Sequence, residues 1–186
     1  VTSPLDAARW PQHTERLVLR RTIEGDAAKI FAYRSRRDVS EWIGGWATDL
    51  ADFEERLGDG STTVVVEHDG RVVGDLMVQV SDAWSQREVN DDAKGTQAEL
   101  GWTFDPEHHG LGLATEAVRE LIRLCLDDLG LRRVTAVCFT DNEPSWRLME
   151  RLGMRREAHH VRGSLHRDHG WLDEYVYALL ADEPRG

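Results

Sequence analysis

Ten residues carry the densest chemical signal in the chain. They read Asp105-Pro-Glu-His-His-Gly-Leu-Gly-Leu-Ala114, with Gly110 and Gly112 alternating and Ala114 continuing the small-residue spacing. Small residues let a backbone approach a ligand closely. A helix starting here presents unpaired N–H groups and the positive end of its dipole, which together suit a pyrophosphate. Two glycines are also what a bare strand-to-helix turn needs for steric reasons. A Rossmann dinucleotide site calls for a third glycine and an acidic residue after the next strand. A P-loop calls for Gly-Lys-Ser/Thr, which is absent.

Other polar residues admit two readings each. Ser145 reads as an N-terminal residue of a short helix or as a reactive hydroxyl. Asn142 reads as a helix cap or a hydrogen-bond donor to a ligand. Glu99 lies on the strand face opposite Leu100, Trp102 and Phe104. It is an ordinary polar residue there, or a carboxylate that takes a proton. His159, His160, His166 and His169 are dense but sit in a polar segment, so no metal site is expected. Trp42 and Trp46 flank Gly44-Gly45 and suit the wall of a pocket less than a core. Cys125 and Cys138 lack CxxC spacing and fall in apolar runs, which suits core packing rather than a disulfide or zinc.

These residues must be held by a regular frame. Arg16 to Thr22 reads as a strand, Asp26 to Arg36 and Leu50 to Leu57 as helices. Thr62 to Glu67 and Val72 to Val80 read as a hairpin closed by Asp69-Gly70. Ser81 to Thr96 reads as a long polar loop. Ala98 to Phe104 is the next strand. Leu113 to Leu129 is a helix with Ala114, Ala117, Val118, Leu121, Ile122, Cys125 and Leu129 in one stripe. Val134 to Phe139 reads as an interior strand, apolar on both faces. Pro144 and Gly153 bracket a short helix, and Glu174 to Leu180 is a last strand. The strand, long helix and following strand make a right-handed βαβ unit. The fold class is α+β with a mixed sheet: a loose arm over residues 1–13, then one domain over 14–183.

The chain has 186 residues, enough for one core. Its formal net charge of -11 disfavours nucleic acid and attracts cations. No membrane-spanning run or signal peptide is apparent, so a cytoplasmic location is expected.

The loop resembles the acyl-CoA loop of the GNAT family of N-acetyltransferases, Gln/Arg-x-x-Gly-x-Gly/Ala. His109 takes the first position, Gly112 the glycine and Ala114 the last small residue. The stretches Glu99-Leu-Gly-Trp-Thr-Phe and Gly-Leu-Gly-Leu-Ala-Thr-Glu-Ala look like the RimJ/RimL branch, which acetylates ribosomal-protein N-termini. Asp141-Asn142, Ser145 and Met149-Glu150-Arg151-Leu152-Gly153 follow in that branch's order. Glu157, Trp171 with Asp173, Tyr177-Ala178-Leu179-Leu180 and the early Glu15-Arg16-Leu17-Val18-Leu19-Arg20 also fit. The chain departs from the pattern at His109, at Met154 where Phe is usual, and at Ala158 where Gly is usual.

The resemblance implies a GNAT fold: a mixed central sheet and a βαβ acyl-CoA-binding unit, flanked by helices. It implies direct transfer of acetyl from acetyl-CoA to a primary amine within a ternary complex, without a metal. Gly110, Leu111, Gly112, Leu113, Ala114 and Thr115 would hold the pyrophosphate, with His109 as a further donor. Trp102, Thr103 and Phe104 would line the pantetheine, joined by Asn142. The strands around Trp102 and Phe139 would splay to admit it. Ser145 would serve the departing sulfur and Glu99 the incoming amine. The acceptor is expected to be a protein N-terminus or a small cationic amine. A homodimer is a further expectation, with neither nucleic acid nor membrane as partner. An acyl-CoA-sensing module without turnover, or a transferase using another acyl-CoA such as succinyl-CoA, remain open.

Overall fold

The computed structural model describes residues 3–58 and 60–185. Eight strands follow the hydrogen-bonded order β1-β2-β3-β4-β5-β6-β8-β7. They are β1 Gln12–His13, β2 Leu17–Arg21, β3 Thr63–His68, β4 Arg71–Ser81, β5 Gln97–Phe104, β6 Arg133–Phe139, β7 Arg155–His166 and β8 Gly170–Leu180. Five α-helices accompany them: α1 Asp26–Arg34, α2 Arg37–Ser40, α3 Leu50–Leu57, α4 Leu113–Arg123 and α5 Glu143–Arg151. β5 and β6 are parallel, and β1–β2, β2–β3, β3–β4, β6–β8 and β7–β8 are antiparallel. The expected α+β class with a mixed sheet is the observed one.

The chain packs as two compact units. One comprises Val1–Val78 with Trp102–Leu121, the other Gln79–Gly101 with Ile122–Gly186.

In the first unit, β1 to β4 form a meander. Its hairpin turn places Asp69 at φ 49° and Gly70 at φ 73°, the left-handed pair expected of Asp-Gly. Ile30, Tyr33, Ala47, Phe53 and Val65 make a core cluster, with Phe31 and Leu57 packed on it. Gly74 is needed for close approach: a Cβ there would stand 2.7 Å from the Phe104 ring and 2.9 Å from the Thr103 carbonyl. The N-terminal segment, expected as a loose arm, folds onto this unit. Ser3 caps a 3-10 turn over Pro4–Ala7, Leu5 is buried, Trp10 Nε1 donates to the Leu5 carbonyl at 2.8 Å, and β1 pairs with β2. Leu5 and Trp10 supply an apolar anchor that the proline-rich composition conceals.

In the second unit, the polar stretch expected as a loop contains a 3-10 turn over Arg87–Ala93, closed by the Ala83 N–H donating to the Ala93 carbonyl at 2.9 Å. The long helix runs to Asp128, one residue short of its expected end, but its last turn changes type. A π turn over Leu124–Asp128 follows α4, and the Leu129 N–H donates to the Leu124 carbonyl at 2.9 Å. Leu124, Cys125 and Leu126 are all buried there, and widening the turn lets three consecutive side chains face inward. β6 is interior in the sheet order, as expected, but its outward face is partly open: Val137 is 40% exposed. The polar segment from Arg155 to His166 is a strand, the edge strand β7.

Candidate active site

In the first unit, β5 leads into the glycine loop and α4. The Asp105 N–H donates to the Val73 carbonyl at 2.9 Å, and its carboxylate accepts from the Glu107 N–H at 3.1 Å. A single 3-10 turn, Pro106–His108, follows. Gly110 and Gly112 then adopt φ 76° and 78°, a region costing other residues roughly 1–2 kcal/mol. A Cβ at Gly110 would meet nothing within 4 Å, so this face of the loop is open. Leu113 is buried at 1% exposure and anchors the helix start, while Leu111 points outward. The Gly112 carbonyl accepts from the Glu116 N–H at 3.1 Å. The first-turn N–H groups of Leu113, Ala114 and Thr115 therefore precede the first helical hydrogen bond.

A latch at the start of β2 holds this loop. Arg16 Nη1 donates to the Leu111 carbonyl at 2.8 Å, and its Nε donates to Glu116 at 2.7 Å. The Thr14 hydroxyl and the Arg16 N–H donate to the other Glu116 oxygen at 2.5 and 2.8 Å. Partial burial opposes ionisation of Glu116, but these donors prevail and hold its carboxyl below the usual range. The Arg16 guanidinium stands 3.6 Å from where a Gly112 Cβ would be. His109 is spent inside the loop: its Nε2 lies 3.2 Å from the Phe104 carbonyl. That contact requires the proton on Nε2, so the donor expected for the coenzyme already serves the fold.

On the same unit, Asp75 sits buried in the middle of β4 and gathers partners. Arg34 Nε donates to it at 2.9 Å and Nη2 at 2.5 Å, while the Tyr33 hydroxyl donates at 2.7 Å. Arg34 Nη2 also donates to the Thr103 hydroxyl at 3.1 Å, tying α1 to the end of β5. Burial pushes the Tyr33 phenol well above its ordinary value, with Asp75 adding to the rise. A cavity of about 220 Å³ opens beside this network. Gly45 and Ala47 form part of its wall. Neither Trp42 nor Trp46 lines it, in keeping with the sequence reading: Trp46 Nε1 donates to the Ser35 carbonyl at 2.9 Å and its ring lies under Arg37.

In the second unit, β5 and β6 keep register only over Gln97↔Arg133, Ala98↔Val134 and Glu99↔Thr135, though β5 runs on to Phe104. Glu99 is exposed at the last of these pairs. Asn142 is the N-cap of α5 by position, but its side chain makes no capping hydrogen bond. Ser145 is half-buried in the first turn, and its hydroxyl holds the Cys138 thiol lower than burial alone would. Burial pushes the Cys138 thiol up to about 11, so it stays protonated at neutral pH. The Tyr177 hydroxyl donates to Glu150 at 2.9 Å. The histidines pair along the β7–β8 ladder, His159 with Asp173 and His160 with Glu174, each at 2.7 Å. Among the described residues no group of His, Cys, Asp and Glu could hold a metal ion, and no helix is long and apolar enough to cross a membrane.

The acidic residues of α3 and of the stretch before β5 are partly engaged locally. Asp49 caps α3, Asp52 pairs with Arg56 at 3.0 Å, and Asp91 pairs with Lys94 at 2.6 Å. Glu54, Glu55 and Asp92 are exposed. The latch and the Asp75 network escape sequence reasoning. Their one visible trace is Asp75 itself, a charge inside an apolar strand that must find a partner.

Residues 16–155 match the profile of an acetyltransferase (GNAT) domain. YnaD of Bacillus subtilis, an uncharacterized N-acetyltransferase, is 36% identical over 46% of this chain and 49% of its own length. The match thus spans about half of that relative. YoaA of the same organism, also an uncharacterized N-acetyltransferase, is 27% identical over 90% of this chain and 94% of its own. A GNAT-family acetyltransferase structure from Bacillus anthracis is similar at a TM-score of 0.78 and 28% identity, covering 92% of this chain and 98% of that one.

Proposed function

Since this chain belongs to the GNAT family of acetyltransferases, a family of acetyl-CoA users, we propose that it moves acetyl directly to a primary amine in a ternary complex. The loop before α4 carries this reading: two left-handed glycines, an open face at Gly110, and first-turn N–H groups free of helical acceptors. That donor set suits a pyrophosphate. Acetyl-CoA, when bound, supplies the activated thioester.

The chain's own residues then divide the work. Backbone N–H groups from Gly110 to Thr115 hold the negative charge, and the latch fixes their direction. The edge of β5 beyond Glu99 accepts the pantetheine as an added strand beside Trp102, Thr103 and Phe104. A β5 N–H polarises the thioester carbonyl. Asn142, with its amide not spent on capping, donates to the same arm. Glu99 takes the proton the ammonium must lose before it attacks, and the Ser145 hydroxyl hydrogen-bonds the departing sulfur. The net charge of -11 draws in the ammonium of the acceptor.

The deciding experiment is coenzyme A release across a panel of primary amines. Release with at least one amine is the expected result. Release with none sinks the transferase reading. With a working acceptor, Glu99→Gln is expected to flatten the acidic limb of the rate-versus-pH profile. An unchanged limb would assign the base to another group.

A further inference from the structure

The cavity in the first unit is unlike the rest of the chain in charge. The sequence carries 34 acidic and 23 basic residues, yet the cavity wall holds two arginines, Arg34 and Arg56, against one carboxylate, Asp75. Asp75 is already saturated by Arg34 and Tyr33. Arg34 uses Nε and Nη2 for Asp75 and Thr103, which among the described residues leaves the Nη1 edge of its fork for a ligand. Arg56 pairs with Asp52 through Nη2 at 3.0 Å. Its Nη1 lies against Gly45, 3.2 Å from where a Cβ would stand, so a glycine there makes room for the guanidinium. Thr62 and Thr63 add hydroxyls, and Phe53 and Met77 add apolar wall.

Guanidinium groups on one cavity wall offer charged donors of the kind that hold a carboxylate. The apolar wall and the small volume suit a short hydrocarbon side chain rather than a peptide. Arg34 also reaches Thr103 on β5, so the cavity is joined to the strand assigned above to the pantetheine. We propose that this cavity binds the carboxylate of the acceptor, making the acceptor a small apolar amino acid rather than a protein N-terminus or a polyamine. The proposal rests on the transferase reading for its word "acceptor", and its binding claim is testable without turnover.

The probes are leucine and leucinamide, which share an amine and a side chain and differ at the carboxylate. Surface acidity alone favours the cationic leucinamide; the cavity favours leucine. Calorimetric titration of the full chain, with and without coenzyme A, is expected to show leucine about tenfold tighter or better, as charged hydrogen bonds would give. Arg56→Gln, on the exposed side of α3, should erase that preference. Arg34→Lys, which keeps the charge beside Asp75 and removes the fork, should weaken leucine selectively. Equal or tighter binding of leucinamide to the wild-type chain overturns the proposal, as does a leucine preference that survives both substitutions. Coenzyme A release is scored separately. Release that ignores the carboxylate removes this site and leaves the transferase standing. Carboxylate-selective binding without release from any amine does the reverse.

Discussion

Gly112→Glu is expected to abolish acetyl-CoA binding, with an affinity loss of about 100-fold or more, while the chain stays folded. Three effects add. Gly112 sits at φ 78°, so any side chain there brings roughly 1–2 kcal/mol of backbone strain. A carboxylate placed about 4 Å from a phosphate repels it by about 4 kcal/mol at an effective dielectric near 20. The new group also lies beside the Arg16 guanidinium, 3.6 Å from the Cβ position, and would draw it away from the Leu111 carbonyl. Gly112→Ala separates these contributions, because it carries the strain without the charge and should lose far less affinity. Calorimetry with acetyl-CoA and circular dichroism on both variants makes the comparison. Unchanged affinity in Gly112→Glu would move the pyrophosphate elsewhere.

Ser145→Ala is expected to lower kcat by about 100-fold with little change in acetyl-CoA affinity, since the hydroxyl acts on charge that develops only as the sulfur departs. Its neighbour Cys138 is no substitute. Burial pushes that thiol up to about 11, so at neutral pH it is neither a thiolate nucleophile nor a ready acid. Cys138→Ala is therefore expected to keep turnover within a few-fold, which makes it the control for disturbed packing around α5. Pre-steady-state release of coenzyme A reads the chemical step directly. Wild-type rates in Ser145→Ala would leave Ser145 as a helix residue only.

Local signals that repeat along the chain were legible in the sequence. The apolar stripe located α4, Asp69-Gly70 located the hairpin, and the family motif located the glycine loop. Periodicity could not show that three consecutive residues, Leu124 to Leu126, all turn inward, because that takes a π turn. β7 stayed hidden for a different reason. Its face is polar, and its cross-strand pairs, His159 with Asp173 and His160 with Glu174, join residues 14 positions apart. The candidate site shows the same division. Gly110 and Gly112 announce themselves by type, whereas Arg34 and Asp75 are 41 positions apart and look ordinary until the chain is folded. Asn142 was legible as a cap by position, and the structure leaves its side chain out of that task.

The Arg16–Glu116 latch bears on how the protein comes to function during folding. Its partners lie 100 positions apart in the chain, so closing it carries the entropic cost of a long loop. Helix α4 and its glycines form through local contacts, but without Arg16 the loop has no clamp on the Leu111 carbonyl. A chain with α4 formed and β2 undocked would hold much of its helical structure and still present the phosphate amides in many directions. Competence for the coenzyme should then arrive late in refolding, as one of the last and most topologically distant contacts closes.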